Sequence, residues 1–171
     1  MTSEEKLVAL LMKRGWHISC AESCTGGLLA ASVINVPNAS AVLDVSFITY
    51  ANEAKIKYLG VSPDTIETWG VVSEQVAGEM ARGAAEHGIA KGNDSHSSSD
   101  ICIGVSTSGI AGPGGQTADK PVGMVCFGFF INGKLRTATK QFGAIGRNLV
   151  RQKSVEFALE TLCSLLEATE A

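Results

Sequence analysis

Six consecutive residues, Glu22-Ser23-Cys24-Thr25-Gly26-Gly27, carry the densest chemistry in the sequence. They follow a β-prone stretch, WHISCA at 16–21, and precede an apolar run that stops short of Pro37. A strand that breaks into a helix leaves backbone N–H groups without partners at the helix start, and the helix dipole adds positive potential there. Such a turn accommodates an anion, either a phosphate or a developing oxyanion, and it projects a small side chain from the sheet edge. Ser23 holds the position of a nucleophile, with Thr25 and Gly26 supplying N–H groups. The same residues also suit a plain helix cap, the more common use of Ser and Thr at such a place.

Tyr50 and Lys55 form a second constellation. Tyr50 closes an apolar strand-like run, and Lys55 falls in the first turn of a helix that Asn52 is placed to cap. A lysine at the positive end of a helix is electrostatically unfavourable, which depresses its pKa, as burial also does. A neutral lysine serves as general base for a serine, and a tyrosine can pass the proton or tune the lysine. Glu53 nearby offers the plainer alternative of an exposed helix with mixed charge.

The segment 106–115, STSGIAGPGG, follows a buried-strand pattern and is rich in glycine. Glycines let backbone approach a ligand closely, and ligands of α/β sheets gather at the carboxyl ends of strands. Ser108, Gly109 and Gly112 are its candidate contacts, although a purely structural loop has the same composition. Neither the GxxxxGK[ST] phosphate loop nor the GxGxxG dinucleotide fingerprint is present. Arg147 and Arg151, spaced i, i+4, share one face at the start of the last helical segment. As a pair they suit a phosphate; singly they suit a solvated face. Cys24, at a helix start where a thiol pKa can fall, is an alternative nucleophile. Cys20, Cys102, Cys126 and Cys163 read as small buried hydrophobes. With no CxxC pair and only three histidines, no metal site is expected.

These residues need positioning elements, and the patterns supply them. Thr2 and Glu5 fit a capping box opening a helix over 3–14 that Gly15 ends. Helices are expected from about 25 to 34, from 52 to 59, over 63–68 behind Pro63, after Ser73, and from 147 to 166. Val76, Met80 and Ala84 mark a buried face of the Ser73-capped helix, as Val150, Phe157, Ala158, Leu162 and Leu165 do for the last one. Strands are expected over 16–21, 43–50, 100–107, 122–131 and 134–142, the last two joined by Asn132-Gly133, a strong hairpin signal. The polar run 91–99 reads as a loop. Interleaved helices and strands followed by an antiparallel pair describe an α/β fold, a mixed sheet with helices on its faces.

The bulk numbers exclude several classes. A length of 171 residues fits one domain over 1–171, and 45% hydrophobic with 18% charged residues is an ordinary globular balance rather than a disordered one. A net charge of −3 gives no general attraction to nucleic acid. No apolar run approaches the ~18 residues of a membrane span. The acidic N-terminus is not a signal peptide and the cysteine count is odd, so a cytoplasmic protein with reduced thiols is expected.

Taken in order, AESCTGGLLA at 21–30, TYANEAKIKYLGV at 49–61, GVVSEQVAGEMARGA at 70–84, SGIAGPGG with KPVG at 108–123, and RNLVRQ at 147–152 resemble the CinA C-terminal-domain family of nicotinamide-mononucleotide amidohydrolases. The resemblance covers nearly the whole chain and matches the family's stand-alone form, without the molybdopterin-binding-like domain of longer members. It implies a three-layer α/β/α fold with a mixed, partly antiparallel sheet, a homo-oligomer, and hydrolysis of nicotinamide mononucleotide to nicotinate mononucleotide and ammonia. It also implies a serine hydrolase supported by lysine and tyrosine, roles that fall on Ser23, Lys55 and Tyr50. No cofactor is expected, and the partner is a small nucleotide substrate. The 108–115 loop would line its pocket and Arg147 would hold its phosphate. Two places depart from the family pattern: Val45-Ser46 replaces a glycine pair, and Gly146-Arg147 replaces an aspartate-arginine pair. These departures motivate a second reading, a nucleotide-binding module of the same fold without turnover. A Cys24-based amidase is a third. A partner-binding role in DNA uptake or damage response rests on the family's historical name alone.

Overall fold

Thr2 and Glu5 close their reciprocal capping box, and helix α1 (Ser3–Arg14) runs from it to a left-handed Gly15. The computed structural model describes residues 1–88 and 101–169, so the polar run 91–99 lies outside the described residues. Strand β1 (His17–Glu22) is buried along almost its whole length, as a central strand must be. Helix α2 (Leu28–Ile34) begins three residues later than the pattern predicts. Residues 25–27 are instead a turn, because Gly26 and Gly27 both take positive φ, at 57° and 96°.

Strand β2 (Leu43–Ile48) is followed by α3 (Asn52–Leu59), α4 (Pro63–Trp69) and α5 (Glu74–Glu86). Ser73 caps α5 through its hydroxyl, as expected. Asn52 does not cap α3: Ala51 holds the cap position with no side-chain bond, and Asn52 is already the first helical residue. Strand β3 (Cys102–Gly109) extends two residues beyond the expected end, since Ser108 and Gly109 remain paired with Cys126 and Val125. Strands β4 (Met124–Ile131) and β5 (Lys134–Gln141) form the hairpin, with Asn132 and Gly133 at φ 46° and 75°. These positive φ values are the type I′ requirement that Asn-Gly meets. Helix α6 (Arg147–Ala168) closes the described chain.

The five strands lie in the order β2-β1-β3-β4-β5. β1 pairs in parallel with β2 and β3, while β4 runs antiparallel to both its neighbours. Leu7 and Leu11 of α1, Leu29 and Val33 of α2, and Ala158 and Leu162 of α6 cover one face, packing on Ile18, Ile103, Phe127 and Phe129. On the other face Val76, Met80 and Ala84 of α5 pack with Leu59 and Ala21. Glycines let α5 lie directly on the strands: a Cβ at Gly104 or Gly128 would collide with the carbonyl of Ala81 or Ala77. The result is the expected α/β/α sandwich with a mixed, partly antiparallel sheet. Because the connections after β1 and β3 leave from adjacent parallel strands, their carboxyl ends open the crevice where such sheets hold ligands.

Candidate active site

Glu22 ends β1 with its side chain fully buried, and the turn after it is folded around that carboxylate. Oε2 accepts from Thr25 Oγ1 at 2.7 Å, the Gly27 N–H at 2.9 Å and the Leu29 N–H at 3.1 Å. Oε1 accepts from the Ala30 N–H at 2.9 Å and from Ser46 Oγ at 3.4 Å. Three of these donors are the orphan N–H groups that any helix start leaves. A residue of the strand, not of the turn, thus caps α2. Thr25 Oγ1 also lies 2.7 Å from Thr107 Oγ1. Since the one Thr25 hydroxyl proton goes to Glu22, Thr107 donates in that pair. Ser46 is therefore part of the carboxylate's shell.

Ser23, half-buried, sits immediately beyond Glu22, its own N–H donating to the Thr107 carbonyl at 3.0 Å. Lys55 comes to it from α3. Its Nζ lies 3.2 Å from Ser23 Oγ, 2.6 Å from the Thr49 carbonyl and 3.3 Å from the Tyr50 carbonyl. Lys55 is 0% exposed, and no salt bridge to it exists among the described residues. Burial holds its pKa below the ordinary lysine value of 10.5. Of the two causes expected from the sequence, the helix dipole and burial, burial is the one that depresses this pKa. In the neutral form the amine has two N–H donors and one lone pair. Two carbonyls take the donors, which leaves the lone pair for the Ser23 hydroxyl proton.

Tyr50 contributes to Lys55 through its main chain, and its side chain, 62% exposed, turns elsewhere. The hydroxyl accepts from Arg147 Nη2 at 2.9 Å, while Arg147 Nη1 donates to the Gly112 carbonyl at 2.8 Å. Arg147 so joins the start of α6 to the glycine loop and to the end of β2. Cys24, Tyr50, Gly109, Ile110, Gly112 and Arg147 line a cavity of about 160 Å³ between these elements. That is the scale of a single aromatic ring, since a cavity of ~150 Å³ takes up benzene. Ser23 and Lys55 are not in its wall, but their neighbours Cys24 and Tyr50 are.

Three expectations change. Ser108 does not face the cavity: its hydroxyl, buried, donates to the Val71 carbonyl at 2.7 Å, because the strand continues through it. The Gly26 N–H is not open to an oxyanion, since it closes the turn onto the Ser23 carbonyl at 3.2 Å. The thiol of Cys24 is not activated by the helix start; burial pushes its pKa up to about 12. Neither the Cys24 nor the Thr25 N–H pairs with a backbone carbonyl among the described residues. Sequence reasoning gave no role to Glu22 or Thr107, and it offered Arg151 either a phosphate or a solvated face. In the structure Arg151 Nε donates to the Cys24 carbonyl at 3.1 Å and Nη2 to the Thr25 carbonyl at 2.8 Å. The signal available for Glu22 was an acid just before a helix start. The described residues contain no cluster of His, Cys, Asp or Glu fit to hold a metal, and no helix among them is long and apolar enough to cross a membrane.

The family model of the CinA C-terminal domain matches residues 1–166. The chain belongs to the CinA C-terminal domain family. A CinA-like protein of Kosmotoga olearia is 46% identical over 157 residues, which are 92% of this chain and 35% of that protein. The chain thus spans about a third of the length of that CinA relative. The nicotinamide-nucleotide amidohydrolase PncC of Enterobacter agglomerans is 46% identical over 154 residues, covering 90% of this chain and 87% of that one. Among solved CinA-family structures, the competence/damage inducible protein CihA of Agrobacterium tumefaciens superposes with a TM-score of 0.82 at 38% identity, covering 96% of each chain. A CinA superfamily protein of Klebsiella pneumoniae gives 0.85 at 30% identity, over 97% of this chain and 96% of its own.

Proposed function

We propose that this CinA-family chain deamidates nicotinamide mononucleotide to nicotinate mononucleotide and ammonia, with Ser23 as nucleophile and Lys55 as general base. The observation that carries the reading is the 3.2 Å approach of a buried, carbonyl-tethered lysine to Ser23 Oγ. The similarity to the amidohydrolase PncC supports the substrate class.

Lys55 takes the Ser23 proton as Oγ attacks the carboxamide carbon. The carbonyl oxygen becomes an oxyanion held by the N–H groups at Cys24 and Thr25. Collapse breaks the C–N bond, and Lys55 returns the proton to the departing ammonia. Water, deprotonated by Lys55, then attacks the acyl-enzyme ester; the acid leaves and Ser23 regains its proton. Because Lys55 reaches Ser23 directly, the Tyr50 ring serves as a wall of the aromatic pocket, with Gly109 and Gly112 opposite. Arg147, fixed by Tyr50 and Gly112, offers the nucleotide phosphate its charge. The family resemblance further supports a homo-oligomer, which light scattering measures, and a cytoplasmic setting.

The test is ammonia release from nicotinamide mononucleotide by the wild-type chain and by Ser23→Ala. Release by the first and loss in the second supports the reading. Full activity in Ser23→Ala refutes the nucleophile, and calorimetric binding without release identifies a binding module instead.

A further inference from the structure

Arg151 stands one helical turn after Arg147, yet it does not face the cavity that Arg147 lines. Its guanidinium reaches back to the nucleophile turn and holds two consecutive carbonyls, those of Cys24 and Thr25. The only cis peptide among the described residues is Gly112-Pro113, so the Cys24–Thr25 and Thr25–Gly26 peptides are trans. In a planar trans peptide the N–H points opposite to the C=O. With both carbonyls drawn to one guanidinium, the Thr25 and Gly26 N–H groups project to the side away from Arg151. The direction of one of them is visible: the Gly26 N–H ends on the Ser23 carbonyl at 3.2 Å. The Thr25 N–H, set on the side away from Arg151 by the same geometry, has no carbonyl partner among the described residues.

We infer that Arg151 is a positioning residue that aims and polarises the Thr25 N–H, one of the two oxyanion donors of the Ser23 site. It acts through the backbone, at the Cys24 carbonyl end of that peptide unit, while its bond to the Thr25 carbonyl holds the turn closed. A cation bonded to a peptide oxygen draws charge from the amide and makes the opposite N–H a stronger donor, the cooperative effect of linked hydrogen bonds. Glu22 supports the same turn from below, through the Gly27, Leu29 and Ala30 N–H groups, and so leaves the Thr25 amide untouched. The inference rests on Ser23 being the nucleophile, but not on which amide it cleaves.

The experiment compares wild type, Arg151→Ala, Arg151→Lys and Ser23→Ala in two assays. The first is phosphonylation by a fluorophosphonate, in which Ser23 Oγ bonds to phosphorus, the P–F bond breaks, fluoride leaves and Lys55 takes the proton. Its phosphoryl oxygen requires the same donors as an oxyanion. The second is ammonia release from nicotinamide mononucleotide. Labelling of wild type but not of Ser23→Ala is expected. Arg151→Ala should label ~10- to 100-fold more slowly, less than the ~10²- to 10³-fold lost when an oxyanion donor is removed outright, since the Thr25 N–H stays in place. Arg151→Lys should fall between, and added guanidinium ion should restore much of the Arg151→Ala rate. In the amidase assay the loss should appear in kcat with KM little changed. Arg151→Ala that labels at the wild-type rate overturns the inference, even if its Tm is lower, since that describes a structural role alone. A wild-type chain that is not labelled at Ser23 also overturns it. A labelled wild type with the Arg151 dependence but no ammonia release upholds it, and refutes the substrate instead.

Discussion

Lys55 Nζ and Ser23 Oγ stand 3.2 Å apart although 32 residues of chain separate them. One comes from the strand-to-helix turn after β1, the other from the fourth residue of α3, after β2. The parallel pairing of β1 with β2 places Glu22 beside Ile48, so both connections leave the sheet from the same edge. The crossover, not a local motif, brings base and nucleophile together.

Replacement of the base should act on the chemical step. Lys55→Ala should lower kcat for ammonia release ~10²- to 10⁴-fold, the usual worth of a general base. Lys55→Arg should be no better, because a guanidinium does not give up its proton. Steady-state kinetics on both variants, with circular dichroism to show that they fold, checks this; an active Lys55→Arg would exclude base catalysis by residue 55.

The pH dependence follows from the direction of the Lys55 shift. Burial lowers its pKa from 10.5, and the active form is the unprotonated amine. The rate should therefore rise with pH through an ascending limb centred below 10.5. A profile of kcat/KM against pH reads the free enzyme's value. A limb centred at or above the ordinary lysine value would contradict a desolvated base.

Tyr50 and Arg147 should affect binding rather than turnover. Arg147→Ala should raise KM about 10- to 100-fold with kcat retained, the loss of a charged hydrogen bond to the phosphate. Tyr50→Phe removes only the hydroxyl that accepts from Arg147. It should raise KM modestly. A kcat collapse in Tyr50→Phe would instead make the hydroxyl a proton carrier.

Cys24 should be dispensable. Its thiol, buried and with a pKa near 12, is protonated at neutral pH. Iodoacetamide should leave ammonia release intact over the time that inactivates an exposed thiolate enzyme, and Cys24→Ala should retain activity within a few-fold. Loss of activity in both would revive the thiol as nucleophile.

Most of the architecture is legible in the sequence, because capping, hairpin and periodic signals are local. Thr2–Glu5, Ser73 and Asn132-Gly133 each declare their element within four residues. Two of the failures share a cause: another group takes the polar partner that local rules assign elsewhere. Thr25 reads as a cap, yet Glu22 of the strand caps α2. Ser108 reads as loop, yet pairing with Cys126 keeps it in β3. At the site, the types of Ser23 and Lys55 pointed to their chemistry, whereas the separate duties of Arg147 and Arg151 did not follow from an i, i+4 spacing. Which carbonyl each arginine meets depends on how the start of α6 lies against the glycine loop and the nucleophile turn.

Stability should depend sharply on Glu22. In Glu22→Gln one carboxylate oxygen becomes an amide that faces backbone donors instead of accepting from them. The expected loss is about 2–4 kcal/mol, and each kcal/mol lowers Tm by ~2–4 °C in a chain of this size. Calorimetric scanning checks it, and an unchanged Tm would mean the turn holds without the acid.

The same anchor shapes what the surrounding positions tolerate. Three of the Glu22 donors are main-chain amides, at Gly27, Leu29 and Ala30. Substitution at Leu29 or Ala30 by any residue but proline leaves the amide in place. The recognition is thus written in the path of the chain and in the identity of one acid. A saturation library across the turn should find position 22 nearly fixed, while 29 and 30 accept whatever volume the helical layer can pack. That separation makes the first turn of α2 a place to redesign core packing without disturbing the nucleophile.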